Sequence, residues 1–454
     1  MLKEALFGTH QDFTEGDLNR AIVLLAIPMI LEMAMESLFG IVDVFFVSRL
    51  GADAVATVGL TESLLTLVFG VAIGLSMATT AFVARRIGEK DPEGAANSSV
   101  QAILLGLLIS IAVGVIGITK APSLLHLMGG SPAVEANARY TQVLLGGSAA
   151  IFLLFLINAI FRGAGDAALA MRTLWLANAI NIVLDPCLIN GWGPFPRLGV
   201  LGAAVATTTG RSIGVLFQLW QLRSGKNRVV VRRQQVRLNL PVMWKLLRVS
   251  ITGIIQFLVV TGSWIALVRI VSSFGSAAVA GYTIAVRMII FTILPSWGLG
   301  NAAATLVGQN LGAGKPERAE RSVYRTAFYN MIYMGLISIA FLFFPAPLVA
   351  IFSSEPTVTR TAVACLSIFG LAYVSYAWGM VLMQAFNGAG DTLTPTLINL
   401  FAFWVCQIPI AYLLAIHYSY GPRGAFIAVP ISDVVFTILA LVLFRRGAWK
   451  RQKI

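Results

Sequence analysis

Charge is scarce in this sequence. Only 12% of its residues are Asp, Glu, Lys or Arg, while 57% are hydrophobic, a balance that excludes an ordinary soluble globular fold. Cysteine is nearly absent too. Cys187, Cys365 and Cys406 each sit in an apolar run with no CxxC pair, which argues against a disulfide framework. The three histidines, His10, His126 and His417, never cluster, so no histidine metal motif exists. HExxH and Ser/His/Asp patterns are missing, and the chain is read as a non-enzyme with no cofactor. The segment from Met1 to Arg20 lacks the basic-then-apolar order of a cleaved signal peptide, so the first span is expected to be retained.

Apolar runs of about 20 residues recur throughout, which is bilayer-spanning length. The expected fold is an all-α polytopic membrane protein with twelve transmembrane helices. They are placed near 21–49, 56–84, 97–119, 135–161, 168–191, 199–222, 243–272, 279–310, 322–344, 359–386, 394–417 and 424–445. The domain reading is an N-terminal segment 1–20, an N-lobe 21–222, a basic linker 223–242, a C-lobe 243–445 and a basic tail 446–454.

The net charge of +13 could suggest nucleic acid, but its distribution points to topology instead. With twelve spans, both termini and the even-numbered loops share one side. That side holds 24 Lys and Arg against seven opposite, with Arg211 and Arg287 inside spans. The positive-inside rule then puts both termini in the cytoplasm of a cell inner membrane, facing anionic lipid, with no nucleic-acid partner.

The two halves repeat. Phe161-Arg-Gly-Ala-Gly-Asp166 returns as Phe386-Asn-Gly-Ala-Gly-Asp391, an offset of 225. Gly88-Glu-Lys-Asp-Pro-Glu93 matches Gly312-Ala-Gly-Lys-Pro-Glu317, and Leu50-Gly-Ala-Asp matches Phe274-Gly-Ser-Ala, both at 224. Six spans per half give a parallel repeat of two six-helix lobes around a central cleft, as in rocking two-lobed carriers. The GAGD loops read as scaffold, with Asp166 and Asp391 capping the helices that follow.

The acidic residues break this symmetry. Within spans the first half holds Glu32, Glu36, Asp43, Glu62 and Asp185; the second holds only Asp433. Glu32, Glu36 and Asp43 are spaced by four and seven residues, so they share one helical stripe. A carboxylate at that depth costs a few kcal/mol or more unless it meets protein, water or a cation. Asn181 and Asp185 also lie four apart, and Pro186 frees a carbonyl that could help bind an ion. Asp43 and Asp185 would share a proton or hold Na⁺ between them with Asn181. Burial in helix–helix contacts is the plainer alternative for Glu32 and Glu36. Pro28 is a candidate hinge in the first span, or a tolerated early proline. Phe39, Met33, Phe155, Tyr282, Met288, Trp264 and Trp297 are apolar candidates for the cleft. Gln256 and Arg287 are read as interhelical hydrogen bonders.

The first span, LAIPMILEMAMESLFGIVDVFFVSRL, the paired FRGAGD and FNGAGD motifs and the fifth-span NxxxDP together resemble the MATE (multidrug and toxic compound extrusion) family. The resemblance covers residues 15–445. It implies antiport of H⁺ or Na⁺ against amphipathic, often cationic, organic compounds, by a monomer. Asp43, Asn181 and Asp185 then match the family's N-lobe coupling residues and Pro28 its bending proline. Asn158, Tyr140 and Thr207 match further polar partners, and Glu36 joins them on the stripe. The neighbourhoods of Val259 and Tyr376 offer no acid for a C-lobe cation site, which resembles the DinF-like branch. The rival reading is a lipid-linked precursor flippase, which would line its cleft with several Arg and Lys.

Overall fold

A computed structural model describes residues 1–8, 11–225 and 227–454, without the side chains at 43, 44, 48 and 52. Among the described residues the regular structure is all helical. A short helix, α1 (Leu2–Phe7), precedes α2 (Leu18–Val47), the first span. Asp17 accepts the Arg20 amide at 2.9 Å and so caps the start of α2. There follow α3 (Ala52–Gly88) and α4 (Pro92–Leu127), the latter capped by Asp91, which accepts the Gly94 amide at 2.8 Å. Pro92 occupies the first turn, where its missing N–H is not needed.

The fourth span is nearly continuous through α6 (Ala138–Gly146) and α7 (Ser148–Ala164), after a single-turn α5 (Pro132–Ala136). The half closes with α8 (Ala167–Asn190) and α9 (Val200–Arg223). The second half holds α10 (Leu240–Ser272), α11 (Ser276–Gly312), α12 (Pro316–Phe343) and a one-turn α13 (Pro345–Ala350). Its tenth span is broken: α14 (Pro356–Gly370) meets α15 (Tyr373–Ala389) at a 60° bend. The eleventh runs from α16 (Leu393–Asn399) through wide π-helical turns and α17 (Ile408–Tyr412) to His417. The last is α18 (Pro422–Arg445). Among the described residues, eleven continuous or nearly continuous helical runs and the bent pair make up the expected twelve spans.

The backbone shows the repeat. Gly165 and Gly390 both end their helices in the left-handed region, at φ 90° and 85°, as a GAGD loop requires. Trp175 donates its indole N–H to the Leu31 carbonyl at 3.1 Å, and Trp404 donates to Val259 at 2.9 Å, so the fifth span grips the first as the eleventh grips the seventh. The two aspartates differ, however. Asp391 accepts the Thr394 amide at 3.1 Å as a cap should. Asp166 makes no cap bond; it turns to the linker, accepting the Arg228 amide at 3.2 Å, because the partly buried Arg228 guanidinium lies beside it.

Within the first half, α8 packs on α2 and α9, and α3 on α7; in the second, α15 packs on α11, α12 and α18. The halves meet where α2 and α3 lie against α10 and α11. At the end bearing the linker and both termini this contact is very tight. A Cβ on Gly88 would lie 2.0 Å from the Gln309 carbonyl, and one on Gly312 2.1 Å from that of Arg85. Gln309 donates to the Gly163 carbonyl at 2.9 Å and Thr305 to that of Arg162 at 3.0 Å, which completes the seal.

Candidate transport site

Beyond that seal the halves part around a cavity of about 210 Å³. Glu32, Met33 and Glu36 of α2 line one side with Phe155, Asn158 and Arg162 of α7. On the other side stand Trp297 and Asn301 of α11 with Gln384 and Asn387 of α15.

The N-lobe wall is anionic and hydrogen bonded. Glu32, 1% exposed, accepts from Arg162 at 2.9 Å and from Asn158 at 3.1 Å, both on Oε1, while Oε2 has no hydrogen-bond partner. Asn158 in turn accepts from Gln218 at 2.8 Å, which fixes its amide. Glu36 accepts from Asn178 at 3.2 Å. The four-residue spacing of Glu32 and Glu36 puts both on the face that α2 turns to α7 and α8. The C-lobe wall is neutral: Gln384 donates to Asn301 at 3.1 Å and accepts from Asn387 at 2.9 Å.

Of the coupling candidates, Glu36 and Asn158 line this cavity, whereas Asn181, Asp185, Tyr140 and Thr207 lie outside its lining. Asn181 donates to Thr207 at 2.9 Å, tying α8 to α9, with both residues buried. Asp185, one turn on, is fully buried, and Tyr140 is 5% exposed. The Asp43 side chain lies outside the described residues. α2 continues as helix through Pro28.

Of the apolar candidates, Met33, Phe155 and Trp297 line the cavity, and Phe39 lies outside its lining. Tyr282 and Met288 belong to the C-lobe core, Tyr282 stacked on Phe426 at 5.9 Å. Trp264 and Gln256 line smaller C-lobe cavities, and Arg287 is exposed.

Sequence reasoning passed over Arg162, Asn178 and Asn387. Arg162 and Asn387 occupy the one position where FRGAGD and FNGAGD differ, and that mismatch inside an otherwise matched loop was the available signal. The neighbourhood of Tyr376 also proves acidic after all: Asp433, from the last span, shares a small cavity with it.

The comparisons agree with this architecture. The MatE family pattern matches twice, over residues 28–187 and 253–413, once in each half. The "Probable multidrug resistance protein NorM" of Thermotoga maritima is 28% identical over 451 residues, covering 96% of this chain and 94% of that protein. A solved structure described as the outward-facing conformation of a multidrug resistance MATE family transporter superposes with a TM-score of 0.89 at 28% identity, over 97% of this chain and 98% of that one. A MATE in complex with MaL6 gives 0.90 at 28% identity, over 97% and 99%. The chain belongs to the MatE family.

Proposed function

We propose that this protein is a secondary active multidrug efflux transporter, exporting amphipathic organic cations by antiport against H⁺ or Na⁺. The observation that carries the reading is the cavity between the lobes, where Glu32 and Glu36 face Phe155, Met33, Met77 and Trp297. Carboxylates beside aromatic and thioether groups suit cations of varied shape, through charge, cation–π contact and adaptable packing.

The lobes are residues 21–222 and 243–445, joined by the linker 223–242, and one chain supplies both cavity walls, so the working unit is a monomer. With both termini cytoplasmic in the inner membrane, the Gly88–Gln309 contact closes the cytoplasmic face, and this conformation is outward-facing. In it the coupling ion reaches Asp43 and Asp185, and Asn181, Thr207, Tyr140 and Asn158 serve as further polar partners. Neutralising those acids lowers the cost of burying them, α2 bends near Pro28, and substrate leaves the cavity. The lobes then rock apart on the cytoplasmic side, release the ion and load a new substrate. Coupling requires that ion and substrate prefer opposite states, by about 1–3 kcal/mol.

A flippase for lipid-linked precursors fits the cavity less well. Among the described residues Arg162 is its sole cationic lining side chain, and Glu32 already pairs with it. The test is accumulation of ethidium in an efflux-deficient bacterium. Expression of this protein is expected to lower the steady-state level severalfold; unchanged accumulation with the protein present in the membrane overturns the reading.

A further inference from the structure

The N-lobe mechanism leaves one buried carboxylate unused. Asp433 of α18 is 9% exposed and lines a cavity of about 40 Å³ with Trp264, Tyr373, Tyr376, Phe403 and Gln407. Among the described residues no Lys or Arg side chain pairs with it and no side chain donates a hydrogen bond to it. Two of its polar neighbours are engaged elsewhere. Thr292 donates to the Ile289 carbonyl at 2.9 Å, so the Tyr373 hydroxyl, 3.0 Å from Thr292 Oγ1, donates there. Gln407 Oε1 accepts from Ser432 at 3.1 Å.

This small cavity shares a wall with a larger one. Val260, Ile293, Tyr376 and Phe403 also wall a second chamber of about 190 Å³. That chamber shares Met77, Trp297, Gln384 and Asn387 with the central cavity. Gln256, Asn387 and Asn399 line it, each with a buried carbonyl oxygen that no donor satisfies. A charged carboxylate at membrane depth needs a counter-charge, and ring faces around it favour a cation of low hydration.

We propose that Asp433 anchors a second cation subsite, in the C-lobe, which takes the ammonium head of an organic amine whose body lies along the amide- and aromatic-lined chamber. The volume at Asp433 admits a headgroup and excludes a whole drug-sized molecule. The inference extends the export reading and rests on it for its biological meaning, but its test is a binding measurement on purified protein, so the two can fail separately.

The experiment titrates butylammonium into the detergent-solubilised full-length protein and follows tryptophan fluorescence, with NaCl as a parallel titrant. Saturable butylammonium binding is expected, weakened at least tenfold in Asp433→Asn and unchanged in Glu317→Gln, an exposed carboxylate at the start of α12. A companion measurement needs only wild-type protein: carbodiimide modification of Asp433, read by mass spectrometry, is expected to slow severalfold in saturating butylammonium. Equal binding by wild type and Asp433→Asn overturns the proposal. So does absence of protection in wild type, and so does a site at Asp433 that responds to Na⁺ alone.

Discussion

Arg162 and Glu32 form the most consequential single pair in the protein. Their side chains are 12% and 2% exposed, and the contact joins α7 to α2 across the wall of the central cavity. Removing one member of such a pair leaves a charge buried without its counter-ion, which costs about 3–5 kcal/mol, whereas replacing both can be nearly neutral. Arg162→Gln is therefore expected to lower the thermal midpoint of the solubilised protein sharply, and Glu32→Gln added to it is expected to restore much of the loss. A double variant less stable than either single one would contradict the pairing. At the same scale, the Gln218–Asn158–Glu32 chain predicts a smaller effect for Gln218→Leu, about 1–3 kcal/mol, because the Asn158 amide then loses its buried donor.

Between elements, close backbone approach controls how the lobes meet. Gly88 faces the Gln309 carbonyl with no flexible side chain that could yield. Gly88→Val must separate α3 from α11, and faster hydrogen exchange at the linker-side ends of both helices is the expected result. Unchanged protection would show that the seal lies elsewhere. The N-terminal segment adds a second clasp on this face. Arg318 donates to the Gly16 and Glu15 carbonyls at 3.0 and 2.9 Å, and Arg228 donates to the Gln11 carbonyl and stacks over Phe13. Within the segment Asp12 is partly buried, which by itself would raise its pKa. Hydrogen bonds from Thr14 and the nearby Lys90 and Arg228 charges outweigh that and hold the carboxyl below its usual value. A depressed folded-state pKa stabilises docking above the unfolded value and is lost as pH falls through the folded one. Proteolysis within residues 11–17 is accordingly expected to accelerate in Asp12→Asn at neutral pH, and in the wild type only below about pH 4.

How far the sequence foretells the molecule differs between these scales. The span count and the repeat were legible because apolar run length and repeated loop motifs are local signals. The lining of the cavity was not, because it depends on which face each helix turns to a partner distant in sequence. Tyr282 and Met288 share the composition of a drug-binding wall yet pack into the C-lobe core. Asp166 looked like its twin Asp391, but the linker, which has no counterpart in the other half, draws it away from the helix. Arg162 was hidden in a motif whose glycines announced a turn.

At the scale of the whole molecule, the polarity of the two walls is the organising fact. The N-lobe supplies Glu32 and Glu36 to the central cavity and buries Asp185 outside its lining; the C-lobe supplies the amides of Asn301, Gln384 and Asn387 and the Trp297 ring. On this account ion binding acts from one lobe while substrate is held between both, so the two compete through the movement of α2. The most direct test uses proteoliposomes loaded with a fluorescent organic cation, with either a pH or a sodium gradient imposed alone, for the wild type and for Asp185→Asn. The account predicts that one of the two gradients drives cation movement in the wild type and that neither does in Asp185→Asn, with binding of the cation retained. Transport by Asp185→Asn at the wild-type rate, or no gradient-driven movement by the wild type, would contradict it.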